Sequence, residues 1–397
     1  MYKSKLIIFL IILLLFSFTL SIPAQEDEKL QMNLITMVYS VTAYEDLNEL
    51  NFLTHIPIIT EDSIPVYLKL SEESKFNSNV SGFNFKNIKG DKNLLRFTLK
   101  NCVKDIKNYM AIEIYTLKKV SSYSDMPKTV SFESYYNLKE DLKQYTQPSL
   151  AIQSEAPEVK KKAYELLYES WAMCNVVEVL KQIMSYTGYV IEFKTGPGGQ
   201  TALASLNRGY AVCTGKANLA VALCRALGIP ARVLHVLASH FIAQVWLPNY
   251  GWVRGESTDG FFPEKKHRWT VAWIADLDDE NYAGQNREGV IAYLGLEGNV
   301  NAQWSMEYEE IAQPDRWIEV FASIEGNTSL NNTLFEKGAE LWRLFCRLKN
   351  SGLGDVQLAT FYGYQQLYFD SLVSKDIQSA VNFADLAIME AKSLLNL

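Results

Sequence analysis

YAVCTGKANLAVALCRALGIPAR, residues 210–232, holds two of the chain's five cysteines, Cys213 and Cys224, eleven positions apart on one expected helix. The helix is read from Cys213 to Leu227. It stops at Gly228 with Pro230 just beyond, the usual punctuation of a helix C-terminus. Cys213 falls in the first turn, where unpaired backbone N–H groups and the positive end of the dipole favour an anion. A thiol placed there has a lowered pKa and is a candidate nucleophile. Cys224 projects on nearly the same face but about 16 Å further along the axis. That separation excludes a disulfide between the two, which needs Cα atoms within ~7 Å. With Leu219, Ala222, Leu223 and Leu227 around it, Cys224 reads as a buried structural thiol.

Working outward, the segment before this helix has helical period. PEVKKKAYELLYESWAMCNVVEVLKQIMSYTGY, residues 157–189, gives two helices, the first opening on proline and glutamate. The loop GPGGQT at 196–201 lacks the lysine and Ser/Thr pair of a phosphate cradle and reads as a plain loop. After the helix come short apolar strands: ARVLHVL at 231–237, HFIAQVW at 240–246 and GWVRGE at 251–256, then RWTVAWI and VIAYLGL. A helix on an antiparallel sheet is an α+β domain, read over 150–311. Residues 31–120 carry strand-like runs such as LITMVYSVTAY and YMAIEIYTL, broken by SNVSGFN and NIKGDKN, and predict a β-sandwich-like domain. Residues 312–397 read as α-helical. Their last pair loosely resembles one tetratricopeptide hairpin, a fold that needs about three copies to be stable.

Composition narrows the function. The 397 residues carry a net charge of −7, with 48% hydrophobic and 21% charged residues, which is globular and offers no basic field for nucleic acid. Lys3 and Lys5 precede the uncharged run LIIFLIILLLFSFTLSI at 6–22, followed by Pro23-Ala24 and the acidic QEDE. Residues 1–24 therefore read as a signal peptide or, through 6–22, an uncleaved membrane anchor. Either way the body is expected to be exported: periplasmic, extracellular or membrane-anchored outside the cytoplasm. Five scattered cysteines (Cys102, Cys174, Cys213, Cys224, Cys346) do not make a disulfide framework, and an odd number leaves one thiol over. Four histidines without C-x-x-C or H-E-x-x-H spacing give no metal site, and no dinucleotide fingerprint occurs, so no cofactor is expected. What remains is cysteine with histidine.

The run RGYAVCTGKANLAVALCRALGIPARVL, then HFIAQVW, then GWVRGEST, resembles the core of the transglutaminase-like superfamily. PSLAIQSEAPEVKKKAYEL and TALASLNRG are similar, more loosely, to the helices that lead up to the cysteine in bacterial members, which often carry an N-terminal β-sandwich. The resemblance implies a papain-like fold with the nucleophile at Cys213, the base at His240 and the acidic third member at Glu256. One departure stands out: the family usually has aspartate in a D-P-T setting, whereas this chain has Glu256-Ser257-Thr258. Asp259 is the rival. If the hairpin closes through the four residues PNYG, His240 faces Asp259, whereas an odd loop turns Glu256 to that face. The motif favours Glu256. Gln244 stands where many members have glutamate and reads as a strand residue without a catalytic duty. His235 reads as structural, and His55 and His267 have no nameable partner.

The expectation is an exported cysteine-dependent acyl-transfer enzyme acting on amide bonds of protein or peptide substrates. Water or an amine would resolve the thioester, giving a protease or amidase, or a transglutaminase, with hydrolysis slightly preferred. The rival from another class is a non-catalytic envelope scaffold, with the C-terminal helical region binding protein. A de-glycosylating amidase shares the core but usually carries a paired-cysteine zinc module, which this chain lacks.

Overall fold

The computed structural model describes residues 29–71, 74, 79–89, 92–120, 123, 125–169, 175–196, 199–237, 240–264, 270–285, 295–298, 300–306, 318–324 and 328–397. The leader read over residues 1–24 lies outside these, as do Cys174 and His267.

Six strands come first: β1 Lys29–Ala43, β2 Leu47–His55, β3 Ser63–Leu70, β4 Asn79–Lys89, β5 Lys92–Cys102 and β6 Lys107–Val120. β1, β6 and β3 pair antiparallel in one sheet, and β2, β5 and β4 in a second. Side-chain alternation makes the two sheets one core. Tyr39 and Met110 are partners across β1 and β6, Phe52 and Phe97 across β2 and β5, and the Tyr39 and Phe52 rings meet at 5.2 Å.

The core domain follows. Its helices are α1 Glu140–Lys143, α2 Pro157–Glu169, α3 Val176–Ser185, α4 Ala202–Arg208 and α5 Cys213–Ala226. A single π turn, Tyr186–Val190, extends α3, and the two-residue strands β7 Glu192–Phe193 and β8 Tyr210–Ala211 pair in parallel. β9 Ala231–Val236, β10 His240–Leu247, β11 Gly251–Gly255 and β12 Val271–Ile274 form an antiparallel sheet in the order β11-β10-β9-β12. α6 Leu277–Gln285 closes the domain. The fold class read from the sequence, a helix packed on an antiparallel sheet, is the one observed.

One boundary moves. The sequence put 290–296 in the second domain and read helix from 312. Instead β13 Gly295–Leu296 pairs with β2, while β14 Ala302–Met306 and β15 Ile318–Ile324 both pair with β1. The reason is the free edge of the fifteen-residue β1, whose backbone donors and acceptors need a partner. Three helices then end the chain: α7 Thr328–Lys349, α8 Asp355–Val373 and α9 Ile377–Leu394. They cover the sandwich rather than standing apart. Leu334, Trp342, Phe361 and Tyr368 share one core with Ile64 and Leu117, and the Phe369 ring stacks on Tyr67 at 4.6 Å. Among the described residues no helix is long and apolar enough to cross a membrane.

The sandwich also grips the core domain. The Ile58 N–H donates to the Val271 carbonyl at 2.9 Å, and Arg254 Nη2 donates to Asp62 Oδ1 at 2.7 Å. His55, at the end of β2, stands edge-on to His235 of β9 with ring centroids 4.8 Å apart, and to Trp273 at 5.8 Å. Both ring nitrogens of His55 and Nδ1 of His235 are buried without a hydrogen-bond partner among the described residues. Burial pushes the His55 imidazole down to about 4, and burial with the neighbouring His55 and His240 charges pushes His235 well below its usual value. A folded pKa below the unfolded one means that the unfolded chain takes up protons first. Stability is therefore complete above pH 6.5 and is lost as pH falls from 6.5 towards 4, by about 3 kcal/mol from His55 alone. Melting temperatures measured between pH 7 and 4.5 should drop steeply in the wild type and less in His55→Phe. An equal drop in both would remove His55 from the account.

Candidate active site

Helix α5 is buried along nearly its whole length, so each polar side chain on it must find a partner. Lys216 Nζ donates to the Gly188 carbonyl at 2.9 Å, and Asn218 Nδ2 to the Gln200 carbonyl at 2.7 Å. Arg225 makes a bidentate pair with Glu280 and also donates to the Gln147 and Ala231 carbonyls. The N-cap is Val212, which has no side-chain oxygen to cap the helix. The first-turn N–H groups are left for something else. That something is the Cys213 sulfur, which receives the Thr214 N–H from its own helix and the Phe241 N–H from β10.

The sheet supplies the partners. Phe241, Ala243, Val245 and Leu247 pack with α5 in one core, and Val245, Trp246 and Leu247 pair with Val253, Trp252 and Gly251. The connecting loop is therefore three residues, Pro248 to Tyr250, with Asn249 at φ +61° and Gly251 at φ +115°. The loop is odd. Gln244 pairs with Arg254, so two residues further along the ladder Glu256 shares the face of His240. His240 Nε2 lies 3.0 Å from Glu256 Oε2 and 3.2 Å from Oε1. The Thr258 N–H donates to Oε1 at 3.0 Å and steadies the carboxylate. The same imidazole is hydrogen-bonded to the Cys213 thiol. Asp259 is exposed, and its charge acts on Lys216.

The electrostatics follow from these contacts. Burial pushes the Cys213 thiol up, but the His240 hydrogen bond and charge and the two backbone N–H groups outweigh it and hold the thiol below its usual value. Burial pushes the His240 imidazole down, but the hydrogen bonds and negative charges of Cys213 and Glu256 carry it up to about 10. Both shifts favour thiolate with imidazolium at neutral pH. Cys224 is the opposite case, a fully buried thiol pushed up to about 12. Among the described residues Cys102, Cys213, Cys224 and Cys346 form no disulfide. Gln244 accepts from Arg232 Nε at 2.8 Å and stays out of the cluster. Among the described residues no group of three or more His, Cys, Asp or Glu side chains converges as a metal cluster.

Two elements around this cluster were invisible in the sequence. The donors from Thr258 and Phe241 are backbone groups and leave no residue-type signal. The π turn packs backbone to backbone on the acidic loop: a Cβ on Gly188 would meet Gly260 Cα and N at 2.4 Å. The Gly188 and Gly260 positions carried the only hint, and nothing in their spacing linked them.

A thiol at a helix start, facing an imidazole and a carboxylate from an antiparallel sheet, defines a papain-like or transglutaminase-like core. Residues 163–257 match the family model of the transglutaminase-like superfamily, and that segment contains α5, β9, β10, β11 and all three side chains. Over those residues the chain is similar to the core of that superfamily. The crystal structure reported as a putative cysteine protease from Cytophaga hutchinsonii is similar to this chain, with a TM-score of 0.46 and 18% identity. The likeness covers 71% of this chain and 90% of that one. No curated protein matches the sequence.

Proposed function

We propose that the protein is a cysteine-dependent acyl-transfer enzyme acting on amide bonds of protein or peptide substrates. The observation that carries this reading is the unbroken hydrogen-bonded chain from Cys213 through His240 to Glu256. The Cys213 thiolate attacks the amide carbonyl carbon, and the carbonyl electrons move onto oxygen. The Cys213 N–H, one of the orphan donors of the helix start, is placed to receive that oxyanion. As the C–N bond breaks, the His240 imidazolium gives its proton to the leaving amine and an acyl thioester remains. Water, deprotonated by the now neutral imidazole, releases the acid and restores the thiolate. An amine in place of water completes a transamidation. Glu256 is a positioning residue: it holds the ring and stabilises its charged form. The lysines and apolar run of residues 1–24 support action outside the cytoplasm.

The test is the pH dependence of Cys213 alkylation by iodoacetamide in the purified protein, set against His240→Ala. Rapid labelling well below pH 8, shifted to higher pH in the variant, is the expected result. Slow labelling, or identical profiles, would overturn the enzyme reading and put the scaffold reading ahead.

A further inference from the structure

Along the π turn and β7, three large apolar side chains within five residues stay in water: Tyr189 at 65%, Val190 at 64% and Phe193 at 58% exposure. Single exposed hydrophobics are ordinary, but a cluster on one short segment marks a contact surface. The segment joins both halves of the candidate site. On one side Gly188 packs on the backbone of Gly260, and the Tyr189 ring lies over Gly260 and edge-on to Phe261 at 6.5 Å. Phe261 is the bridge partner of Glu256. On the other side Phe193 pairs with Ala211, two residues before Cys213. Lys216, one turn after Cys213, ties the segment down through its bond to the Gly188 carbonyl, with Nζ 5.9 Å from the centre of the Phe193 ring. Thr187, fully buried, donates to the Ile183 and Met184 carbonyls and fixes the π turn. The apolar face is exposed, yet its backbone is held at four points.

We propose that Tyr189, Val190 and Phe193 form a subsite that takes a large apolar or aromatic side chain of the substrate beside the amide offered to Cys213. This rests on the cysteine acyl-transfer reading above and adds the substrate class to it. Rigid anchoring means that little ordering is needed on binding, so the contact discriminates between side chains. Polar or glycine-rich substrate segments gain nothing from the wall.

The experiment uses two affinity labels on the full chain, a chloromethyl ketone built on phenylalanine and its glycine counterpart. In each, the thiolate displaces chloride, a C–S bond forming as the C–Cl bond breaks. Mass spectrometry follows the rate of adduct formation at Cys213. The phenylalanine label should react tenfold or more faster than the glycine label, the range that one large apolar contact supports. In Val190→Ser/Phe193→Ser the ratio should fall towards one, and Phe193→Leu, which keeps apolar bulk at an exposed position, should retain most of it. Equal rates in the wild type, or a preference that survives the double change, would overturn the subsite and leave the thiolate reading intact. A wild-type protein whose iodoacetamide profile is that of an ordinary thiol would overturn both.

Discussion

Glu256→Gln should lower amide turnover by on the order of 10²–10⁴-fold, whereas Asp259→Asn should stay within about twofold of the wild type. Glu256 accepts from His240 Nε2 and from the Thr258 N–H at the same time, so both of its oxygens are engaged. An amide offers one acceptor and sets a donor against a donor at the other position. It also removes the charge that helps to hold the imidazolium up to about 10. The sign is fixed: without that charge the His240 pKa falls, thiolate with imidazolium becomes rarer at neutral pH, and the alkylation profile moves to higher pH. Glu256→Asp keeps the charge but withdraws it by a methylene, so its loss should be intermediate. Asp259 is exposed and is not among the groups that shift His240, and its charge acts on Lys216, so removing it should leave the ring's charge state largely unchanged. Steady-state turnover of a peptide amide and the alkylation profile, measured on the same four proteins, decide the matter. A large loss in Asp259→Asn with a small one in Glu256→Gln would exchange the roles.

The second large effect is on stability. Arg225 and Glu280 form a bidentate ion pair whose side chains are 1% and 2% exposed. Glu280→Ala leaves a guanidinium buried with two carbonyls but no counter-charge, at a cost of about 3–5 kcal/mol. For a domain of this size the melting temperature should fall by roughly 6–20 °C. Arg225→Met/Glu280→Leu removes both charges and should recover most of the loss, because breaking the pair is worse than replacing it. Differential scanning calorimetry of the two variants checks this, and a shift of under about 3 °C for Glu280→Ala would show that solvent reaches the pair. The pair also bears on the chemistry. It anchors the C-terminal end of the helix whose first residue is Cys213, so a loosened pair should slow Cys213 labelling as well.

Much of this was legible in residues 210–258. Gly228 and Pro230 end a helix for local reasons of backbone geometry, and the helix does end there, at Ala226 with Leu227 as its C-cap. The apolar neighbours of Cys224 said that this thiol would be buried, and it is. The odd-loop condition for Glu256 was also local in principle, since turn length sets strand parity. The Pro248-Asn249-Tyr250-Gly251 stretch fits either a three- or a four-residue closure, and only the cross-strand pairing chose three. The pairing of the strands at 295–296, 302–306 and 318–324 was missed for a different cause. β13, β14 and β15 are short strands whose partners, β1 and β2, lie more than two hundred residues earlier. Such pairing is driven by an unfilled sheet edge that no local pattern reveals.

By itself, then, the sequence determined the helix that carries Cys213, the strands that follow it, the family likeness and the choice of three candidate side chains. These depend on short-range rules: capping, periodicity and the run of small and apolar residues. Tertiary structure decided which carboxylate meets His240, which backbone N–H groups reach the Cys213 sulfur, and that an aromatic segment from 186–193 borders them. Those are distances between atoms brought together by packing, and they exist only once the sheet has closed on the helix.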